Sequence, residues 1–156
     1  MEIHLLAIGT RMPVWIDEGY EAYSRRLGRD CQLLLKALPS PRKSKSQDSA
    51  GIKQQEGELL LAAIPDDAYT IALDEHGKLH DTVTIARKLG DWFEHYRRVA
   101  VLIGGADGLS AECLAACKER WSLSRMTFPH ALVRVIVAEQ IYRAYSVLNN
   151  HPYHRV

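Results

Sequence analysis

The residues Asn150-His151-Pro152-Tyr153-His154-Arg155 put two imidazoles, a phenol and a guanidinium within five positions of the C-terminus. Such groups suit phosphate contact, base stacking and proton transfer, although a polar end of this kind can also be a frayed tail. His130 follows Pro129, and Glu139 and Arg143 stand i, i+4 in the order that favours an ion pair on one helix face. A second pattern is the run Ile103-Gly104-Gly105-Ala106-Asp107-Gly108, whose three glycines let backbone approach a ligand closely. It lacks the Lys-Ser/Thr ending of a phosphate-binding P-loop and the spacing of a dinucleotide fingerprint, so nucleotide hydrolysis is not expected. Cys113 and Cys117 share a helix face without a neighbouring His or Cys pair at metal spacing, which makes them packing residues, and no metal is expected. His4, His76, His80 and His95 form no chemical pattern.

The elements that must position these groups show in the hydrophobic period. Apolar runs at Ile3 to Ile8, Leu33 to Leu38, Tyr69 to Leu73, Val99 to Ile103 and, less clearly, Leu123 to Phe128 read as strands. Between them Ile16-Tyr20-Tyr23-Leu27, Leu59-Leu60-Ala63-Ile64 and Ile85-Leu89-Trp92-Tyr96 recur at helical spacing. Near-continuous apolar strands alternating with helices predict an α/β fold: one domain over residues 1–156, a parallel sheet with helices on both faces. Pro13 suits a first helical turn, Asp81 and Ser110 suit N-caps, and Pro129 separates the fifth strand from the last helix. The polar, basic stretch Pro39 to Ser49 reads as an exposed, mobile loop. Ligands of such a sheet bind beyond the carboxyl ends of the strands, where Leu73, Gly104 and the 123–128 segment fall.

Lys and Arg number 20 against 19 for Asp and Glu, so any nucleic-acid surface must be a local patch. Arg25, Arg26 and Arg29 after the first helix, and Arg42, Lys43 and Lys45 in the loop, are the candidates for RNA contact. Three cysteines in a chain of 47% hydrophobic content suit a reducing cytoplasm. No export signal and no membrane span are expected.

The last helix, roughly Leu132 to Asn149, carries an apolar arc of Val133, Val137, Ala138, Ile141, Ala144, Tyr145 and Leu148, widened by Ile136 and Val147. An arc wider than one sheet face covers predicts a second partner surface, supplied by a symmetric homodimer. Arg134 falls inside it and is expected at that interface.

Leu102 to Leu109, Trp121-Ser122-Leu123-Ser124, Phe128-Pro129-His130-Ala131-Leu132-Val133-Arg134 and the Asn150 to Arg155 tail together resemble the ribosomal large-subunit methyltransferase H family. Ala7-Ile8-Gly9-Thr10 with Met12-Pro13 resembles it too; the departure is Ala106, where the family often has proline. The resemblance spans essentially the whole chain. It implies a SPOUT-type fold with a C-terminal trefoil knot, a homodimer, S-adenosylmethionine as methyl donor, and N3 of a pseudouridine in large-subunit (23S) ribosomal RNA as acceptor, on assembled ribosomes. It also implies that Leu73, Gly104 and Gly105, and the backbone of Leu123, Ser124, Arg125, Met126, Thr127 and Phe128 cradle the cofactor.

Methyl transfer from a sulfonium is an in-line displacement, so the protein must chiefly align donor and acceptor. N3 of a uracil-type ring is protonated at neutral pH, which calls for a base or a stabilising positive charge. His130, Arg143 and His154 are the candidates for that role, with Tyr153 and Arg155 completing the catalytic set. Without the resemblance, a flavodoxin-like nucleotide-binding module and a ribosome-binding factor without catalysis stay open.

Overall fold

The computed structural model describes residues 1–41 and 48–154, with His154 described by its backbone only. The expected basic contacts Arg42, Lys43 and Lys45, and the tail residue Arg155, lie outside the described residues.

Five strands, β1 (Glu2–Ile8), β2 (Gln32–Leu38), β3 (Tyr69–Leu79), β4 (Arg98–Ile103) and β5 (Glu119–Ser122), form one sheet in the order β2-β1-β4-β3-β5. Every pairing is parallel, as the uninterrupted apolar runs require. Among the described residues five α-helices cover it: α1 (Val14–Ser24), α2 (Ser49–Ala63), α3 (Thr82–His95), α4 (Ala111–Ala116) and α5 (His130–Leu148). Alternation along β1 and β4 sends Ile3, Leu5, Val99 and Val101 to one face, where they meet α1, α3 and α5. Leu6, Ile8, Ala100 and Leu102 point the other way, against Leu60 of α2 and Cys113 of α4. Two cores on opposite sheet faces make the expected architecture.

Caps fix the helix starts. Asp81 accepts a hydrogen bond from the Thr84 amide and Ser110 one from the Cys113 amide, each satisfying an orphan donor of the first turn. Asp48 does the same for α2, so the expected long loop gives way to helix at Ser49. Pro13 sits one residue earlier than expected, in extended backbone just before α1.

Two expectations at the edge of the sheet need correction. The fifth strand is Glu119–Ser122, and the 123–128 segment where the apolar run put it is irregular. As an edge strand, β5 pairs with β3 alone among the described residues and tolerates Glu119 and Arg120, which hides it from a search for apolar runs. β3 also runs on past Leu73 to Leu79, but its register on β5 breaks between Leu73 and Lys78. Trp121 faces both Leu73 and Lys78, so the intervening residues bulge from the ladder.

Arg134 is the third correction. It is 1% exposed and donates through Nη2 to the Ile8 and Gly9 carbonyl oxygens at 2.9 and 2.6 Å. Its partners lie in the same chain, so it closes the end of β1 and is not an interface residue. Part of the wide α5 arc is likewise answered internally, since α5 packs against both α1 and α3.

Candidate active site

Beyond the carboxyl ends of β4, β3 and β5 lies an open cleft with a cavity volume of about 150 Å³. It is lined by Ile103-Gly104-Gly105 and Gly108 after β4, by Leu73 of β3, and by Trp121 to Ser124 with Met126 to Phe128 at and after β5. The segment that failed to be a strand is therefore the cleft wall. Ser122 Oγ donates to the Ser124 carbonyl and Ser124 Oγ accepts from the Met126 amide, so short side chains hold the irregular backbone in place.

The glycine turn is closed on itself. A Cβ on Gly104 would stand 2.5 Å from the Gly108 carbonyl group, and one on Gly105 would stand 2.6 Å from the Glu56 carboxylate. Glu56 is 5% exposed and takes a 2.7 Å hydrogen bond from Ser40, so a buried acid braces the turn from beneath. The Ile52-Glu56-Leu60 spacing, which puts a carboxylate on the buried stripe of α2, is the signal that reveals it in the sequence.

Asp74 and Glu75, in the β3 bulge, line the cleft, as do His130 and Val133 at the start of α5. His130 also lies beside the end of β1, its Nε2 3.9 Å from where a Gly9 Cβ would be. The lining offers apolar walls for a flat ring, glycine backbone for close approach and two carboxylates for a cation. This donor set fits S-adenosylmethionine, whose ends are an adenosine and a positively charged amino-acid chain.

The C-terminal residues assemble elsewhere. Arg143 donates from Nε (2.9 Å) and Nη2 (2.5 Å) to one Glu139 oxygen, which also accepts from the Tyr153 hydroxyl at 3.0 Å. The Tyr153 ring packs 4.7 Å from that of Tyr142, and the Arg26 guanidinium lies 4.5 Å from the Tyr142 ring centre and 5.1 Å from that of Tyr153. Burial, with Tyr23 and Glu139 nearby, pushes the Tyr153 phenol up to about 12, so it stays protonated at neutral pH. Glu139 holds the Arg143 guanidinium more firmly charged than usual.

Of the expected cofactor residues, Leu73, Gly104, Gly105, Leu123, Ser124, Met126, Thr127 and Phe128 all line the cleft, whereas Arg125 does not. Of the expected catalytic residues, His130 lines it too. Arg143 and Tyr153 do not: Arg143 lies roughly 20 Å further along the axis of α5 than His130, at 1.5 Å per residue. Asp74, Glu75, Val133 and Glu56 are additions that sequence reasoning missed. Among the described residues no helix is long and apolar enough to cross a membrane.

A family model described as "Predicted SPOUT methyltransferase" matches residues 1–154. The chain is 49% identical to the ribosomal RNA large subunit methyltransferase H of Methylococcus capsulatus over 155 residues, 99% of this chain and 100% of that protein. It is 48% identical to the protein of the same name from Thioalkalivibrio sulfidiphilus, over 99% of each chain. Against that of Coxiella burnetii it is 47% identical, over 99% of this chain and 100% of the other. Among solved structures, that of a probable methylase family protein from Haemophilus influenzae Rd KW20 aligns with a TM-score of 0.54 and 16% identity. The alignment covers 99% of this chain and 70% of that one, and at such identity the likeness concerns the fold alone.

Proposed function

The chain belongs to the SPOUT methyltransferase family, and from that premise we propose that it methylates N3 of a pseudouridine in large-subunit ribosomal RNA, with S-adenosylmethionine as donor. The observation that carries the reading is the cleft itself. Leu73, the glycine turn and the 123–128 segment, separate in sequence, converge at the ligand end of the sheet. Full-length relatives at 47–49% identity bear the name ribosomal RNA large subunit methyltransferase H, which favours the ribosomal substrate.

When bound, the cofactor supplies an electrophilic methyl group on a sulfonium. The chain's part is to hold and orient. Leu73, Leu123 and Phe128 would clamp the flat end, backbone at Gly104 and Gly105 would line its floor, and Asp74 would complement its charge. His130, which lines the cleft, would take the N3 proton. Tyr153, protonated and held between Tyr142 and two guanidiniums, would anchor the tail from which His154 and Arg155 meet the target base. Arg143 would stabilise developing negative charge from its place beside Tyr153.

Since Tyr153 and Arg143 sit away from the cleft of their own chain, the reading includes a homodimer in which one protomer's tail serves its partner's cleft. Exposed Val14 (71%), Trp15 (57%) and Met126 (70%) are apolar surface that such an association would bury. The trefoil knot implied by the family is part of the same proposal; the 123–128 segment follows β5 and lines one cleft with the β4 turn and the end of β3. A ribosomal substrate would put the enzyme in the cytoplasm.

The test is to incubate the protein and labelled cofactor with ribosomes lacking the modification. A methyl on N3 blocks the Watson–Crick face, so reverse transcription should stop one nucleotide before a single large-subunit position. Cofactor binding by calorimetry without any methyl transfer would leave a binding factor instead.

A further inference from the structure

We infer that Arg26 is a positioning residue for the C-terminal segment: its guanidinium packs on Tyr142 and Tyr153 and fixes the segment against α5 in the pose from which it acts. The inference rests on the reading above, in which the tail completes an active site.

Three arginines follow one another closely at the end of α1, and their surroundings differ. Arg25 pairs with Glu21 one turn back in its own helix. Arg29 makes no ion pair among the described residues. Arg26 reaches across to the far end of the chain, within cation–π distance of two rings. Arg26 is exposed like Arg29, but two rings hold its guanidinium in place, which separates it from its neighbour.

The geometry around Tyr153 shows what the contact secures. Asn150 takes a left-handed conformation (φ 52) and the His151 amide donates to the Ser146 carbonyl at 2.8 Å, so the chain folds back along α5. Tyr153 is then gripped at its hydroxyl by Glu139 and at its ring by Arg143 (5.0 Å) and Arg26 (5.1 Å). Glu139 and Arg143 belong to α5, so they tie the tail to the helix it has just left. Tyr23 of α1 and Arg26, in the turn just after it, tie the tail to a second element, and of the two Arg26 is the one that packs on both rings. Two elements define a position where one leaves a swivel, and the residues after Tyr153 start from that position. Alignment of this kind appears in turnover and not in cofactor affinity.

The test uses Arg26→Ala, Arg26→Lys and a chain lacking residues 153–156. Chymotryptic cleavage after Tyr153 is followed by mass, cofactor affinity by calorimetry, and kcat and KM on ribosomes by methyl incorporation. Arg26→Ala should speed cleavage about five-fold and lower kcat by a similar factor, with cofactor affinity and ribosome KM unchanged within about two-fold. Arg26→Lys, which keeps a cation over the rings, should recover most of both. Wild-type cleavage and kcat in Arg26→Ala, while the truncated chain is inactive, would overturn the inference and leave the tail reading intact. A raised ribosome KM with weakened salt dependence and unchanged cleavage would make Arg26 a phosphate contact instead. Full activity of the truncated chain would remove the tail reading itself, and the role of Arg26 with it.

Discussion

The Arg134 guanidinium, buried in α5, donates a 2.6 Å hydrogen bond to the Gly9 carbonyl at the end of β1. A helix and a strand end more than a hundred residues apart in sequence are joined by this one charged group. The contact sets the edge of the cleft, because Gly9 stands beside His130. Arg134→Ala should cost about 2–4 kcal/mol, from the lost charged hydrogen bonds and the cavity left behind. Urea unfolding measures that loss; a midpoint within error of wild type would mean that the carbonyls find water at no cost.

Gly105 and Glu56 make a second constraint, and it shapes the choice of cofactor-site variants. Gly104→Val is a poor probe, because its Cβ would meet Gly108 backbone that cannot step aside. Gly105→Ala meets only the end of the Glu56 side chain, which can yield by giving up its bond to Ser40. Gly105→Ala should therefore destabilise the fold by about 1–3 kcal/mol. In a Glu56→Ala background the same change should cost clearly less. Strict additivity in that double-mutant cycle would show that the two residues do not press on each other.

The two constraints mark the limit of what the one-dimensional pattern reveals. β1 and β4 are legible because both their faces are buried, so Ile3 to Ile8 and Val99 to Ile103 are apolar without interruption. The far end of β3 is not, because Asp74 to Leu79 lies past the layer that helices cover and its residues answer to the cleft and to solvent. The glycine turn and Leu73 are legible as ligand-facing since strand ends are where such folds bind. The partners of Arg134 and Arg26 are invisible in the sequence, because a period reports which face a residue occupies and not which distant residue meets it there. The tail shows the same limit: its chemistry is written in residue types, and its address is not.

Acid stability should track Glu119. Burial alone would raise its carboxyl, but hydrogen bonds from Lys88, Tyr69 and Trp121 outweigh this and hold it below the usual carboxylate range. A depressed folded-state value contributes stability that is present above the unfolded value of 4.5 and lost as pH falls through the lower one. Thermal midpoints should thus fall faster in wild type than in Glu119→Gln as pH drops below about 4.5. Equal slopes would show that the Lys88 pair does not form in solution.

The separation of tail and cleft can be tested by complementation. Within one chain Tyr153 is tied to Glu139, roughly 13 Å along α5 from His130, so on the proposed reading the tail serves the cleft of a partner protomer. Thr127→Trp puts a bulky ring at an exposed position of the cleft wall and should block the cofactor without disturbing either core. Removal of residues 153–156 should spare cofactor affinity and lower ribosome methylation ~100-fold or more, as expected for loss of positioning and proton-transfer groups. Each chain alone should be nearly inactive. In an exchanged mixture, each mixed dimer joins the open cleft of the truncated chain to the intact tail of the Thr127→Trp chain and regains one complete site. With random exchange half of the dimers are mixed and each has one of its two sites, so about a quarter of the wild-type rate should return. No recovery on mixing, under conditions where mass spectrometry shows the mixed dimer, would put tail and cleft in the same protomer and require the tail to leave Glu139 before it acts.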